Sequence, residues 1–178
     1  MVHCDIGGFF SFGKLKRDDE LFVRWMEMCA FSLLMRSHES IRPWANSQFD
    51  APAVKPHTVR LTNLHVALRP YIDHCIADAQ RGIPALRPDF YEAMDYGASR
   101  DMYSYFLGPD LYVCPVIEHR ARTRQVHLPQ GEWVHFWTGT PFAGGQSYTV
   151  AAPLGQPPVF YKKNSPYADL FRSAAQIQ

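Results

Sequence analysis

No apolar run in these 178 residues approaches the ~20 residues that a membrane-spanning helix needs. Nor does a basic stretch lead into an apolar one at the N-terminus, so the chain is expected to be soluble and cytoplasmic. Charge of one sign is missing as well. Eighteen basic against seventeen acidic residues leave +1, with no basic stretch dense enough to track a phosphate backbone, so nucleic acid is not expected as a partner. Cysteine is scarce and scattered: Cys4, Cys29, Cys75 and Cys114 form neither a CxxC pair nor a compact His/Cys cluster. They are expected to be buried free thiols of a reducing compartment. His57, His65 and His74 fall at unequal spacings, which argues against a metal site. There is no glycine-rich phosphate loop, no serine nucleophile elbow, no internal repeat and no low-complexity tract.

What is present divides the chain in two. With 47% apolar and 14% aromatic residues there is ample material for a core. From Lys16 to Met35, Leu21, Phe22, Trp25, Met26, Cys29 and Leu33 recur at three- and four-residue intervals behind an N-cap at Asp18 or Asp19, which predicts a long helix. From His57 to Gln80, Val59, Leu61, Leu64, Leu68, Tyr71, Ile72, Cys75 and Ile76 share one face, which predicts a second helix, kinked before Pro70 and stopped by Gly82. Beyond Gly82, prolines punctuate short β-rich runs. Strands are predicted at Ala85 to Tyr91, Leu111 to Ile117, Gln125 to Leu128, Trp133 to Trp137, Gln146 to Ala151 and Val159 to Lys162, an antiparallel sandwich by pattern. Trp133, His135 and Trp137 alternate as one strand face would, suited to packing or, less readily, to stacking on a sugar.

Two segments carry chemistry. Asp5-Ile6-Gly7-Gly8-Phe9 is a strand end breaking into a glycine turn, where Asp5 either faces a substrate or caps the turn. Met35-Arg36-Ser37-His38-Glu39, with Arg42, Trp44, Asn46 and Gln48 after it, gathers donors suited to sugar hydroxyls or an anion. An ordinary charged helix-to-loop junction has the same composition.

Those residues resemble glycoside hydrolase family 31, the retaining α-glycosidases. The likeness runs through the Asp5-to-Phe9 segment, Glu20-Leu21-Phe22-Val23-Arg24-Trp25, Arg36-Ser37-His38, Leu68-Arg69-Pro70-Tyr71, Gly82 to Pro88, Leu107 to Val116, Leu128 to Trp133 and Pro158 to Tyr161. Met35 to Glu39, Arg42-Pro43, Trp133-Val134-His135 and Gly155 to Tyr161 look most like the sulfoquinovosidases, which cleave α-linked sulfoquinovosides. The resemblance implies an α/β plus β fold. Residues 1–82 would be the last βα units of a (β/α)8 TIM barrel, and residues 83–178 an antiparallel β-sandwich. Asp5 to Phe9 would end the seventh barrel strand and Phe31 to His38 the eighth.

It also implies that both catalytic aspartates lie upstream of Asp5, so that this chain holds none and is inactive alone. The substrate-binding residues would be His38 and Asp5 in the −1 subsite, with Phe9 beside them and Arg36 supporting the site through buried pairing. At Phe9 the sulfoquinovosidases typically carry a tyrosine, and phenylalanine is usual in the α-glucosidase branches. No metal and no cofactor is implied. The expected partners are a small α-glycoside, the missing N-terminal part of the barrel and, as a further candidate, a second copy. An α-glucosidase or α-xylosidase, a truncated remnant and an interaction module are the rivals. With at most two barrel strands present, the two helices are expected to lose the sheet they cover and to expose large apolar faces.

Overall fold

The computed structural model describes residues 4–9, 18–38, 51–93 and 101–178, with the side chains of 92 and 93 excepted. Helix α1 spans Asp19–Ala30, α2 Lys55–Ala67, α3 Arg69–Gln80, α4 Asp89–Ala93 and α5 Ala168–Ala174. The strands are β1 Leu86–Pro88, β2 Tyr105–Leu107, β3 Leu111–Val113, β4 Thr123–Leu128, β5 Glu132–His135, β6 Pro141–Ala143, β7 Gln146–Ala151 and β8 Val159–Lys162.

Local chemistry sets the helix bounds. The Asp18 carboxylate accepts from the Glu20 amide at 2.7 Å, capping α1. The expected start at Lys16 lies outside the described residues, and the helix ends at Ala30, not Met35. The second expected helix is two, because Pro70 has no amide proton and sits in the first turn of α3, with Leu68 between. At the other end of α3, Gly82 takes φ +85° while the Gly82 and Ile83 amides donate to Ala79 and Asp78, a left-handed stop.

All strand pairs are antiparallel, in a six-stranded sheet of order β1-β2-β3-β8-β5-β6 and a two-stranded ribbon, β4-β7. The large sheet is covered on both faces. Leu107, Leu111, Val113, Val159 and Tyr161 point to the helices, while Phe106, Tyr112, Trp133 and Phe160 point to the ribbon's Val126, Leu128 and Val150. This is why β3 and β8 are apolar at successive positions.

The helical faces are therefore not left bare. Phe22, Val23 and Met26 of α1, Leu61 and Leu64 of α2 and Tyr71 of α3 are at most 1% exposed in one core with the large sheet. Leu21 and Val59, expected on those faces, are instead 52% and 50% exposed. The run expected as one strand from Ala85 to Tyr91 turns into α4 at Asp89, and that from Leu111 to Ile117 stops at Val113. Trp133 and Trp137 do not share a face: β5 ends at His135, and Trp137 packs on Phe31 and Phe136 at the helical side. Cys29, Cys75 and Cys114 are buried free thiols and Cys4 is half-buried. Burial pushes Cys75 and Cys114 up to about 12. No helix among the described residues is long and apolar enough to cross a membrane.

Candidate functional site

Residues 4–9 and 31–38, expected to end the seventh and eighth barrel strands, carry no assigned strand but lie side by side. The Ile6 amide donates to the Arg36 carbonyl at 3.0 Å, a strand-like pairing. Beyond it, Gly7 and Gly8 take φ +80° and +82°, a conformation in which a side chain is strained, and the Gly8 amide donates to the Asp5 carbonyl at 2.8 Å. The tight turn reverses the chain and leaves Asp5 and Phe9 on either side of it.

All four expected site residues meet here. Arg36 Nε lies 3.7 Å from Asp5 Oδ1, and Arg36 Nη2 lies 3.2 Å from His38 Nδ1. The Phe9 ring stands edge-on to the His38 imidazole, with centroids 5.0 Å apart and planes at 76°. Arg36 was expected to be buried, but its side chain is 43% exposed against 22% for Asp5. It sits at the rim and reaches both groups, so it orients the carboxylate and the imidazole without being locked away from solvent. Glu39, Arg42, Trp44, Asn46 and Gln48 lie outside the described residues.

The support beneath was not legible in the motif. Trp25 of α1 presses its ring within 4.0 Å of where a Cβ on Gly8 would sit, and its Nε1–H donates to Cys4 Sγ at 3.0 Å. Read as one apolar position of a helix, Trp25 gave no sign of gripping both sides of the glycine turn. A second polar constellation anchors α1 itself. Arg24, 7% exposed, pairs with Glu27, 1% exposed, at 3.0 Å, and donates to the carbonyls of Ala121 and Ala152 at 2.8 and 2.9 Å. Glu27 also accepts from the Gly155 amide at 2.5 Å. Burial pushes the Glu27 carboxyl up to about 7, against the pull of Arg24 and the Gly155 amide. A carboxylate, an imidazole, a guanidinium and an aromatic edge at one glycine turn offer acceptors and donors for a polyhydroxylated ligand.

Comparison with known proteins places both halves of the chain. Residues 1–74 match the glycosyl hydrolases family 31 TIM-barrel domain, and residues 82–165 the glycosyl hydrolase family 31 C-terminal domain. The sulfoquinovosidase of Escherichia coli strain K12 is 42% identical over 178 residues, 98% of this chain and 26% of that protein. The chain thus spans about a quarter of the curated relatives it matches. Among solved structures, a family 31 sulfoquinovosidase from E. rectale, in complex with an aza-sugar inhibitor, aligns with a TM-score of 0.86 and 39% identity over 97% of this chain and 26% of its own. A family 31 α-xylosidase from a soil metagenome, complexed with xylose, aligns with a TM-score of 0.80 and 27% identity over 94% of this chain and 28% of its own. The chain therefore belongs to glycosyl hydrolase family 31, of which it carries the end of the TIM barrel and the C-terminal domain.

Proposed function

We propose that this chain supplies one wall of the sugar-binding site of a retaining α-glycosidase, most specifically an α-sulfoquinovosidase, and that the rest of the barrel is its obligate partner. The carrying observation is the joining of Asp5 and His38 through Arg36 across two neighbouring segments, which the family resemblance makes the ends of barrel strands, where such barrels bind their ligands. His38 offers a ring nitrogen to a sugar hydroxyl, Asp5 accepts from another, Arg36 holds the two in register and Phe9 closes the apolar side. Retaining hydrolysis needs two carboxylates about 5–5.5 Å apart, one to attack the anomeric carbon and one to protonate the leaving oxygen. Asp5 supplies at most one, and the family resemblance puts both catalytic aspartates on earlier barrel strands.

The purified chain is therefore expected to leave nitrophenyl α-sulfoquinovoside, α-glucoside and α-xyloside intact, whereas joining it to the upstream barrel units gives turnover. In that joined enzyme His38→Ala lowers kcat/KM by roughly 5- to 150-fold, the equivalent of losing a hydrogen bond worth about 1–3 kcal/mol. Turnover by the chain alone, abolished in Asp5→Asn, would sink the proposal. A second sugar class is favoured by one observation: Phe9, edge-on to His38, has no hydroxyl to offer an anionic headgroup. The ratio of kcat/KM for α-sulfoquinovoside over α-glucoside decides between them.

A further inference from the structure

A groove of about 610 Å³ runs along the outward face of the β4-β7 ribbon, in the layer farthest from the helices. Its floor follows from strand parity. Arg124, Val126 and Leu128 of β4 turn inward, Val126 and Leu128 into the core cluster, so Gln125 and His127 face out, opposite Thr149 and Ser147 of β7. These are neutral donors and acceptors in a row, and His127 Nδ1 lies 3.0 Å from Ser147 Oγ.

The rim is of opposite character. Met102, Tyr103 and Ile117 stand 83%, 54% and 50% exposed around the groove and give its rim apolar and aromatic surface. Tyr103 is held in place by its own turn. Asp101 accepts from the Tyr103 amide at 3.1 Å, from Ser104 Oγ at 2.5 Å and from Arg124 Nη2 at 2.6 Å. The aromatic ring is thus presented from a pinned turn, with little backbone freedom left to lose on binding. Charge selects the ligand class. The Asp101–Arg124 pair cancels, Glu118 adds a negative charge, and no other described lining residue is basic apart from His127.

A pyranose ring offers an apolar face of C–H groups and a belt of hydroxyls, which matches an aromatic rim over a neutral hydrogen-bonding floor. We infer that this groove binds a neutral saccharide chain, stacked on Tyr103 and hydrogen-bonded to Gln125 and Thr149.

The test is electrophoresis of the folded 178-residue chain through gels containing soluble starch or dextran, with dextran sulfate as a third arm. Wild type, Tyr103→Phe and His38→Ala are expected to be retarded by a neutral glucan, while Tyr103→Ala and Gln125→Ala run as in an empty gel with unchanged circular dichroism. Three results overturn the inference: no retardation of wild type in either neutral glucan, equal retardation of wild type and both alanine variants, or retardation by dextran sulfate alone. Loss in His38→Ala with retention in Tyr103→Ala would assign the binding to the Asp5 cluster, and so would overturn this inference while leaving the proposed function standing.

Discussion

Gly155 sits where α1 and α2 meet the loop before β8. Its φ is +87°, and a Cβ there would fall 2.5 Å from His57 Nδ1. Gly155→Ala must relieve a left-handed backbone and a steric overlap together, so it is expected to destabilise by more than the about 1–2 kcal/mol of backbone strain alone. A lower urea midpoint at unchanged slope checks this. Glu27, beside it, makes stability depend on pH. Its folded-state carboxyl titrates near 7, above the ordinary 4.5. The stabilisation from binding that proton is complete below about 4.5, fades as pH rises through about 7 and is absent above. Glu27→Gln should lose this slope. Its Tm measured against wild type should climb between pH 5 and 7.5, and a difference constant across that range would show that Glu27 stays ionised throughout. At this scale the site was partly legible. The family resemblance of the glycine pair and the Arg36-Ser37-His38 run picks out the residues that meet, whereas their composition alone fits an ordinary charged junction equally well. The partners of Arg24 and Glu27 were not legible, because a buried ion pair on a helix reads as ordinary i,i+3 surface charge until its burial is known.

Helix α3 is bolted to the sheet by one hydroxyl. Tyr71 Oη donates to the Leu107 carbonyl at 2.7 Å and accepts from the Asp110 amide at 2.9 Å, across the β2-β3 turn. Tyr71→Phe leaves two buried backbone groups without their partner and is expected to lower stability by about 1–3 kcal/mol, read from thermal or urea unfolding. A loss below about 0.5 kcal/mol would mean that water replaces the hydroxyl. Elements longer than four residues with clear alternation, β4 and β7, were legible, β7 to the residue. The three-residue β2 was missed because Tyr105-Phe106-Leu107 is too short to show a period beside Gly108-Pro109. The β6 strand is absent from the predicted strands because Pro141 and Gly144-Gly145, which frame it, are turn signals. Its place explains the proline: β6 is an edge strand, as is β1 with Pro88, and an edge tolerates a residue without an amide proton.

At the scale of the whole molecule, helices and large sheet share a core containing Phe22, Leu61, Tyr71, Leu111 and Tyr161. The composition shift at Gly82 marks where helices give way to strands, but it carries no information about which face of the sheet those helices cover. One cooperative transition is therefore expected, with far-UV helical signal and tryptophan fluorescence melting together. A helical transition well below the fluorescence one would show the helices to be a separate, weaker unit. The Arg24 guanidinium has a temporal consequence too. It is held by carbonyls 97 and 128 residues further along the chain, so the chain must close loops of that length before the charge on α1 is satisfied. During synthesis α1 leaves the ribosome before the residues that hold Arg24 and waits for β1 to β7 to follow. A nascent chain stalled before Ala152 should remain open to trypsin at Arg24 however long it is given, and protection should arrive once Ala152 is out and β7 has paired with β4.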